Sequence, residues 1–393
     1  MLSEATLAYG ERAASALLGV DALYRNESQD EDGLVVLNMG AETLSPAVYT
    51  DYAAATDAWQ TLARDAATLP EPDRRRYYAQ LCGSTLAFMQ WRAEGLPFAD
   101  QLSRFLHVPA APASEAELDA LRDELRQLWN GLGYSGDLEA QAAAWQARNR
   151  VPADEVAGTL AALFDEAWDR TERVLPIPAP KSDGMRVRGV SGVAFNARCN
   201  YLERKVELNT DPVLTRPGLK HLAVHECYPG HYVQFKLREV LYAQGKAPAD
   251  NLLSVVNTAS SSPFEGIADH GLFLLDWIES DDDRVQHALT RYRSGIGTVA
   301  AWKLHALGEA EATVRDWLRA NALVGGEGWV DNRLRFIAAP ARAVLIWSYW
   351  WGQGVVTSAY DAIPPHQRAD YLDFLYGRMH SLQTVAMFHA ETD

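Results

Sequence analysis

Two histidines and a glutamate stand within seven residues, at His225-Glu226-Cys227-Tyr228-Pro229-Gly230-His231. This donor set suits a zinc hydrolase: two imidazoles hold the ion, and the neighbouring carboxylate acts on the water that the ion polarises. In the common H-E-x-x-H form the histidines are four residues apart, which puts them about 40° apart on one helix face. Here they are six apart, about 120° round a continuous helix, so an unbroken helix could not aim both at one ion. The intervening residues supply the remedy. Pro229 has no N–H, and its ring would clash with the carbonyl of His225. It also disfavours the α region for Tyr228, and Gly230 accepts almost any backbone angle. The spacing therefore predicts a helix interrupted between its histidines, with His225 and His231 as metal ligands and Glu226 as general base. A Pro-Gly pair that merely ends a helix would account for the break, but not for the His-Glu before it and the His after it.

The run His225 to Tyr232 resembles the H-E-x-x-P-G-H-H signature of a large bacterial family regarded as zinc hydrolases and known mainly as a domain of unknown function. The family also carries E-G-W-A some forty residues further on, and this chain has Glu265-Gly266-Ile267-Ala268 at that distance. The match is closest over about residues 200–275, looser over 330–355, and not evident over the first 180. It implies a largely helical fold like that of zinc carboxypeptidases and oligopeptidases, with Glu265 as the third metal ligand. The alternative for Glu265 is a carboxylate serving the first turn of a helix opened by Pro263. Asp269 shares a helix face with Glu265 and would accept from the other ring nitrogen of a ligand histidine. Cys227 reads as a buried thiol rather than a ligand. The family's Arg-Tyr, Pro and Tyr-Gly positions are similar to Arg335-Phe336, Pro340, Tyr349 and Gly352, with a longer Pro-to-Tyr interval here. They offer Arg335 and Tyr349 as oxyanion donors. Two departures, Tyr232 for the final His and Ile267 for the Trp, leave the substrate class open. The first implies that position 232 is not an indispensable ligand; the second alters a residue expected to line the pocket.

The elements that must position this chemistry read as mostly helical. Apolar periodicity predicts helices near residues 3–24, 47–68, 72–93, 114–132, 136–149 and 152–174. Ser114 and Glu117 form a capping-box pattern. After a polar, acidic loop over Asn26 to Gly33, residues 34–37 read as extended. Leu175-Pro176-Ile177-Pro178-Ala179-Pro180 suits neither helix nor central strand. It divides the chain into an N-terminal helical domain, 1–175, and a metal-bearing domain, 181–393. Short strands are expected at 185–188, 192–195 and 205–209, the last being a candidate edge strand for pairing with a substrate backbone. Residues 285–325 and 366–393 read as further helix. The fold class is thus mainly α, with a small β-sheet beside the metal-binding helix.

Composition narrows the function classes. The 393 residues can bury a substantial core. An excess of 52 acidic over 36 basic residues, a formal charge of −16, argues against a nucleic-acid surface or a polybasic membrane patch. From Met1 onward no secretory signal pattern is visible, no apolar run is long enough to span a bilayer, and three cysteines make no disulfide framework. These features point to a cytoplasmic protein. The expected activity is a zinc-dependent hydrolase, peptidase or amidase-like, with one zinc per chain and a small-molecule or short-peptide substrate. One rival is a metal-dependent hydrolase or lyase acting on a small non-peptide amide or thioester. Another is a binding protein with a structural metal site, against which the retained Glu226 weighs. Homo-oligomerisation is compatible with the sequence.

Overall fold

The computed structural model describes residues 2–28 and 33–388. Met1, residues 29–32 of the expected acidic loop and residues 389–393 of the expected last helix lie outside the described residues. The protein is 64% helix and 6% strand, the mainly α class read from the sequence. In chain order the first helices are α1 (Glu4–Ser28), α2 (Tyr52–Ala66), α3 (Pro72–Glu94), α4 (Phe98–Gln101), α5 (Glu115–Gly131) and α6 (Leu138–Asn149). Next come α7 (Val156–Thr171), α8 (Arg216–Glu226), α9 (His231–Ala243), α10 (Ser261–Leu274) and α11 (Asp281–His305). The last are α12 (Glu311–Asn321), α13 (Gly326–Ala338), α14 (Pro340–Ala343), α15 (Ile346–Asp361) and α16 (Arg368–Gly377). The strands are β1 (Val35–Asn38), β2 (Arg186–Val190), β3 (Ala197–Asn200), β4 (Lys205–Asn209) and β5 (Leu253–Val255).

Two compact units are formed: Met1–Ala110 with Gln234–Gly266 and Trp351–Asp393, and Ala111–Val233 with Ile267–Trp350. This is not the linear division expected at the proline run. Residues 175–180 lie inside the second unit, because α7 before them packs on α8 and β2 after them, and Leu175 and Ile177 are buried. In the first unit α1, α2 and α3 enclose Trp59, Tyr77, Tyr78 and Phe88. The buried Asp21 carboxylate there accepts from the Leu34 and Val35 amides, at 2.7 and 2.9 Å, and so fixes the start of β1.

Helices α10 and α15 approach backbone to backbone at Gly266 and Gly352. A Cβ at Gly266 would stand 2.3 Å from the Gly352 carbonyl, and one at Gly352 would stand 2.1 Å from the Ser262 carbonyl. Gly266→Ala is therefore expected to cost about 3 kcal/mol, the upper part of the range for overpacking. An unchanged denaturant midpoint would show that the crossing is looser than this.

The second unit holds the three-stranded sheet, ordered β2-β4-β3, with β4 parallel to β2 and antiparallel to β3. Two expectations change here. The strand expected at 192–195 forms instead at β3, five residues later. Lys205–Asn209 is the central strand, so both of its hydrogen-bonding edges are used and it has none to offer a substrate. The capping box is present as expected: Ser114 N–H donates to Glu117 Oε2 (2.7 Å) and Glu117 N–H to Ser114 Oγ (3.3 Å). The helical stretch over 285–325 is made of two helices, α11 and α12, with Gly308 at φ +68° in the turn between them. The last helix stops at Gly377. Beyond it His380 turns inward, its Nε2 2.9 Å from the Phe374 carbonyl oxygen.

Candidate metal centre

Helix α8 is set by its ends and by one buried ion pair. Thr215 caps it by accepting from the Gly218 amide (3.2 Å), and Pro217 occupies its first turn. From the middle of the helix Lys220 donates to Asp283 at 2.9 Å. Asp283 also closes the capping box of α11 with Ser280, so α8 is tied to the start of α11.

The helix ends at Glu226 and the next begins at His231, so the predicted interruption is present. Its last carbonyls are met by one ordinary helical bond and two wider ones. Cys227 and Tyr228 N–H both donate to the Ala223 carbonyl (3.2 and 3.3 Å), and Gly230 N–H donates to that of Val224 (2.9 Å). The Tyr228–Pro229 peptide is cis. Gly230 is required for its lack of bulk: a Cβ there would lie 1.8 Å from the His225 carbonyl oxygen and 2.4 Å from that of Val224. The turn brings the two imidazoles to a centroid separation of 4.6 Å, nearly perpendicular.

Helix α10 supplies two carboxylates one turn apart. Donor atoms of His225 and His231 lie within 4.8 Å of each other. Glu265 is the fifth residue of α10, and the first turn carries no acid. The helix opens two residues before Pro263, which removes the alternative role at its N-terminus. Asp269 is buried, and its Oδ1 stands 2.7 Å from His225 Nδ1. A carboxylate so placed holds the hydrogen on Nδ1 and presents Nε2 as the ring's electron-pair donor.

A second group, His221, His225 and Asp269, also lies within 4.8 Å. His221 Nε2 is 3.5 Å from Asp269 Oδ1. Burial pushes the His221 imidazole down to about 4, against the pull of Asp269. Its close approach to His225, one turn on, is a signal the sequence carried in plain i, i+4 spacing.

A cavity of about 170 Å³ opens beside these groups. His221, His225, Glu226, Asp269 and Tyr349 line it together with Arg293, Trp329 and Arg333. Glu226 is buried at its wall, about 100° round α8 from His225. Tyr349 stacks near His225, with centroids 6.3 Å apart and planes at 27°.

Arg335 is not brought to this group. It is exposed, and its Nη1 stands 3.5 Å from the Val193 carbonyl oxygen. Residues two apart on a helix face nearly opposite ways, so Arg333 takes the inward position instead. Ile267 is buried but is not part of the cavity lining. Tyr232 is also buried, its hydroxyl 3.2 Å from the Asp183 carbonyl oxygen and its ring packed against Tyr201 and Tyr228, so it is no part of the donor group. Burial, with Cys199 and Glu226 adding to it, pushes the Cys227 thiol well up, so that residue is a poor source of thiolate. Among the described residues no cysteine is paired in a disulfide.

No family model matches this chain, and no curated protein matches it. Solved structures do share its fold. One is described as a "putative lipoprotein" from Colwellia psychrerythraea, at 13% identity and TM-score 0.58, covering 94% of this chain and 74% of that one. Another is described as a "putative lipoprotein of unknown function" from Shewanella oneidensis, at 12% identity and TM-score 0.53, covering 86% and 71%. The cytoplasmic expectation is corrected on this finding: proteins of this fold include ones described as lipoproteins, a class that is membrane-anchored. No described helix is long and apolar enough to cross a membrane.

Proposed function

We propose that this chain is a zinc-dependent hydrolase of the peptidase or amidase type, with His225, His231 and Glu265 as the metal ligands. The observation that carries the reading is the approach of the His225 and His231 donor atoms to within 4.8 Å, with Glu226 beside them at a cavity wall. Two neutral imidazoles and one carboxylate are the donor set of catalytic zinc sites that keep a position open. When bound, zinc would supply Lewis acidity and lower the pKa of a water to about 7.

The chain's own residues do the rest. Asp269 holds His225 in the tautomer that offers Nε2. Glu226 accepts the proton of the attacking water and passes it to the leaving group. Tyr349, at the cavity wall, offers a hydroxyl that would steady a developing oxyanion. The resemblance to the H-E-x-x-P-G-H-H family supports the same assignment, and a glutamate at the cavity beside its ligand speaks against a purely structural ion. A small cavity suits a short peptide, an acyl amino acid or a comparable amide or thioester.

Purified protein is expected to contain about one zinc per chain by elemental analysis. His225→Ala and His231→Ala should each lose it. Full retention in both variants would remove them as ligands and end this reading. A screen of peptides, acyl amino acids and thioesters would then identify the bond cleaved.

A further inference from the structure

Among the described residues, two arginines line the cavity without an acid to pair with. Arg293, on α11, donates through Nη2 to the Val324 carbonyl and lies over the Trp329 ring at 4.8 Å. Arg333, on α13, lies over the other neighbours of that helix face, Trp329 at 5.5 Å and Phe336 at 5.7 Å. The Nε of each is buried with no hydrogen-bond partner, and no carboxylate of the described residues forms an ion pair with either. This is unusual in a chain whose acids outnumber its bases by 52 to 36. Two guanidiniums with buried Nε atoms, repelling one another, cost stability unless something offsets them. The Trp329 and Phe336 rings offset part of that through their π-faces, but they satisfy no N–H.

Burial pushes the two guanidiniums down, to about 9 for Arg293 (with Arg333 adding to the effect) and about 10 for Arg333. Both therefore stay charged at neutral pH. A planar guanidinium presents paired N–H groups that match the two oxygens of an oxyanion. Tyr349 lies between this pair and His225, its ring beside that of His225 and its hydroxyl near enough to Arg333 to counter part of the effect of burial there.

We propose that Arg293 and Arg333 bind an oxyanion of the substrate, a carboxylate or a phosphate, so that the site takes small acidic substrates. The substrate role rests on the hydrolase reading above; the binding itself does not need the metal. A cavity of about 170 Å³ is smaller than those that hold drug-sized ligands, so the acid would be a small molecule or the terminal residue of a short chain. The uncharged amide or ester of the same compound would leave both guanidiniums unanswered.

The test uses the full chain after removal of metal by a chelator, with succinate, inorganic phosphate and neutral succinamide as probes. Binding is followed by calorimetry and by the fluorescence of the tryptophans, of which Trp329 lies against both guanidiniums. Succinate or phosphate should bind saturably and succinamide should not; the preference between the two anions tells a carboxylate site from a phosphate site. Arg293→Met and Arg333→Met should each weaken that binding about 10- to 100-fold, the range for hydrogen bonds to charged groups, and should keep the zinc content of the unsubstituted protein. Zinc loss in the histidine variants with anion binding intact would separate the two readings. Should the arginine variants fail to fold, protection of Arg293 and Arg333 from an arginine-directed reagent by the bound anion, read by peptide mass spectrometry, decides the matter on the unsubstituted chain. Equal binding of succinate and succinamide, no saturable anion binding in folded protein, or no protection of either arginine would overturn the proposal.

Discussion

Glu226→Gln is expected to keep its zinc and its fold while losing about 10²- to 10⁴-fold in turnover, the usual contribution of a positioned general base. The substitution preserves size and polarity and removes only the proton acceptor. Glu226 directly follows His225 on α8 and lines the same cavity, but the metal-type donor group does not include it. Glu265→Gln should do the reverse and weaken zinc binding, since an amide is a poorer ligand than a carboxylate. Elemental analysis and turnover on the same preparations separate the roles. Zinc loss in Glu226→Gln, together with retained zinc and activity in Glu265→Gln, would exchange the two assignments.

Gly230→Ala is expected to destroy the centre without touching a ligand. The added methyl would overlap the His225 carbonyl oxygen at 1.8 Å, a backbone atom that cannot swing aside as a side-chain tip could. Either the turn opens, carrying His231 away from His225, or the ends of α8 and α9 unwind. Zinc should be lost, and stability should fall by about 3 kcal/mol or more, at the upper end of overpacking costs. Zinc content and denaturant melts of the variant measure both effects. Wild-type zinc content and melting in Gly230→Ala would mean that the turn relaxes freely and that its tight geometry is not what aligns the histidines.

The remaining groups of the site differ in how far local sequence reaches them. His225, Glu226, His231 and the break between the histidines follow from rules that act within a few residues: a missing N–H at Pro229, a restricted Tyr228 and an unsubstituted Gly230. The capping box at Ser114 and Glu117 is equally local. Glu265 and Asp269 required only that they share one helix, which their spacing provides. That Asp269 reaches His225 at 2.7 Å is a different kind of fact, because it depends on how α10 lies against α8.

The amino-acid sequence by itself determined the helical class, the interruption at 227–230 and the donor types, since each is decided by backbone sterics and short-range periodicity. Only the tertiary structure decided that Lys205–Asn209 is a central strand and that the proline run is no boundary. It likewise turned Arg333 inward and Arg335 outward, and set Arg293 of α11 against Trp329 of α13 over the same cavity. Strand order and cavity lining arise from packing between residues far apart in the chain, where a single helical step of about 100° moves a side chain from solvent to the site. Trp329, Asn332, Arg333 and Phe336 recur at helical spacing and all line the cavity. The stripe was legible as one face of a helix, but its place at the cavity was decided by how the helices pack.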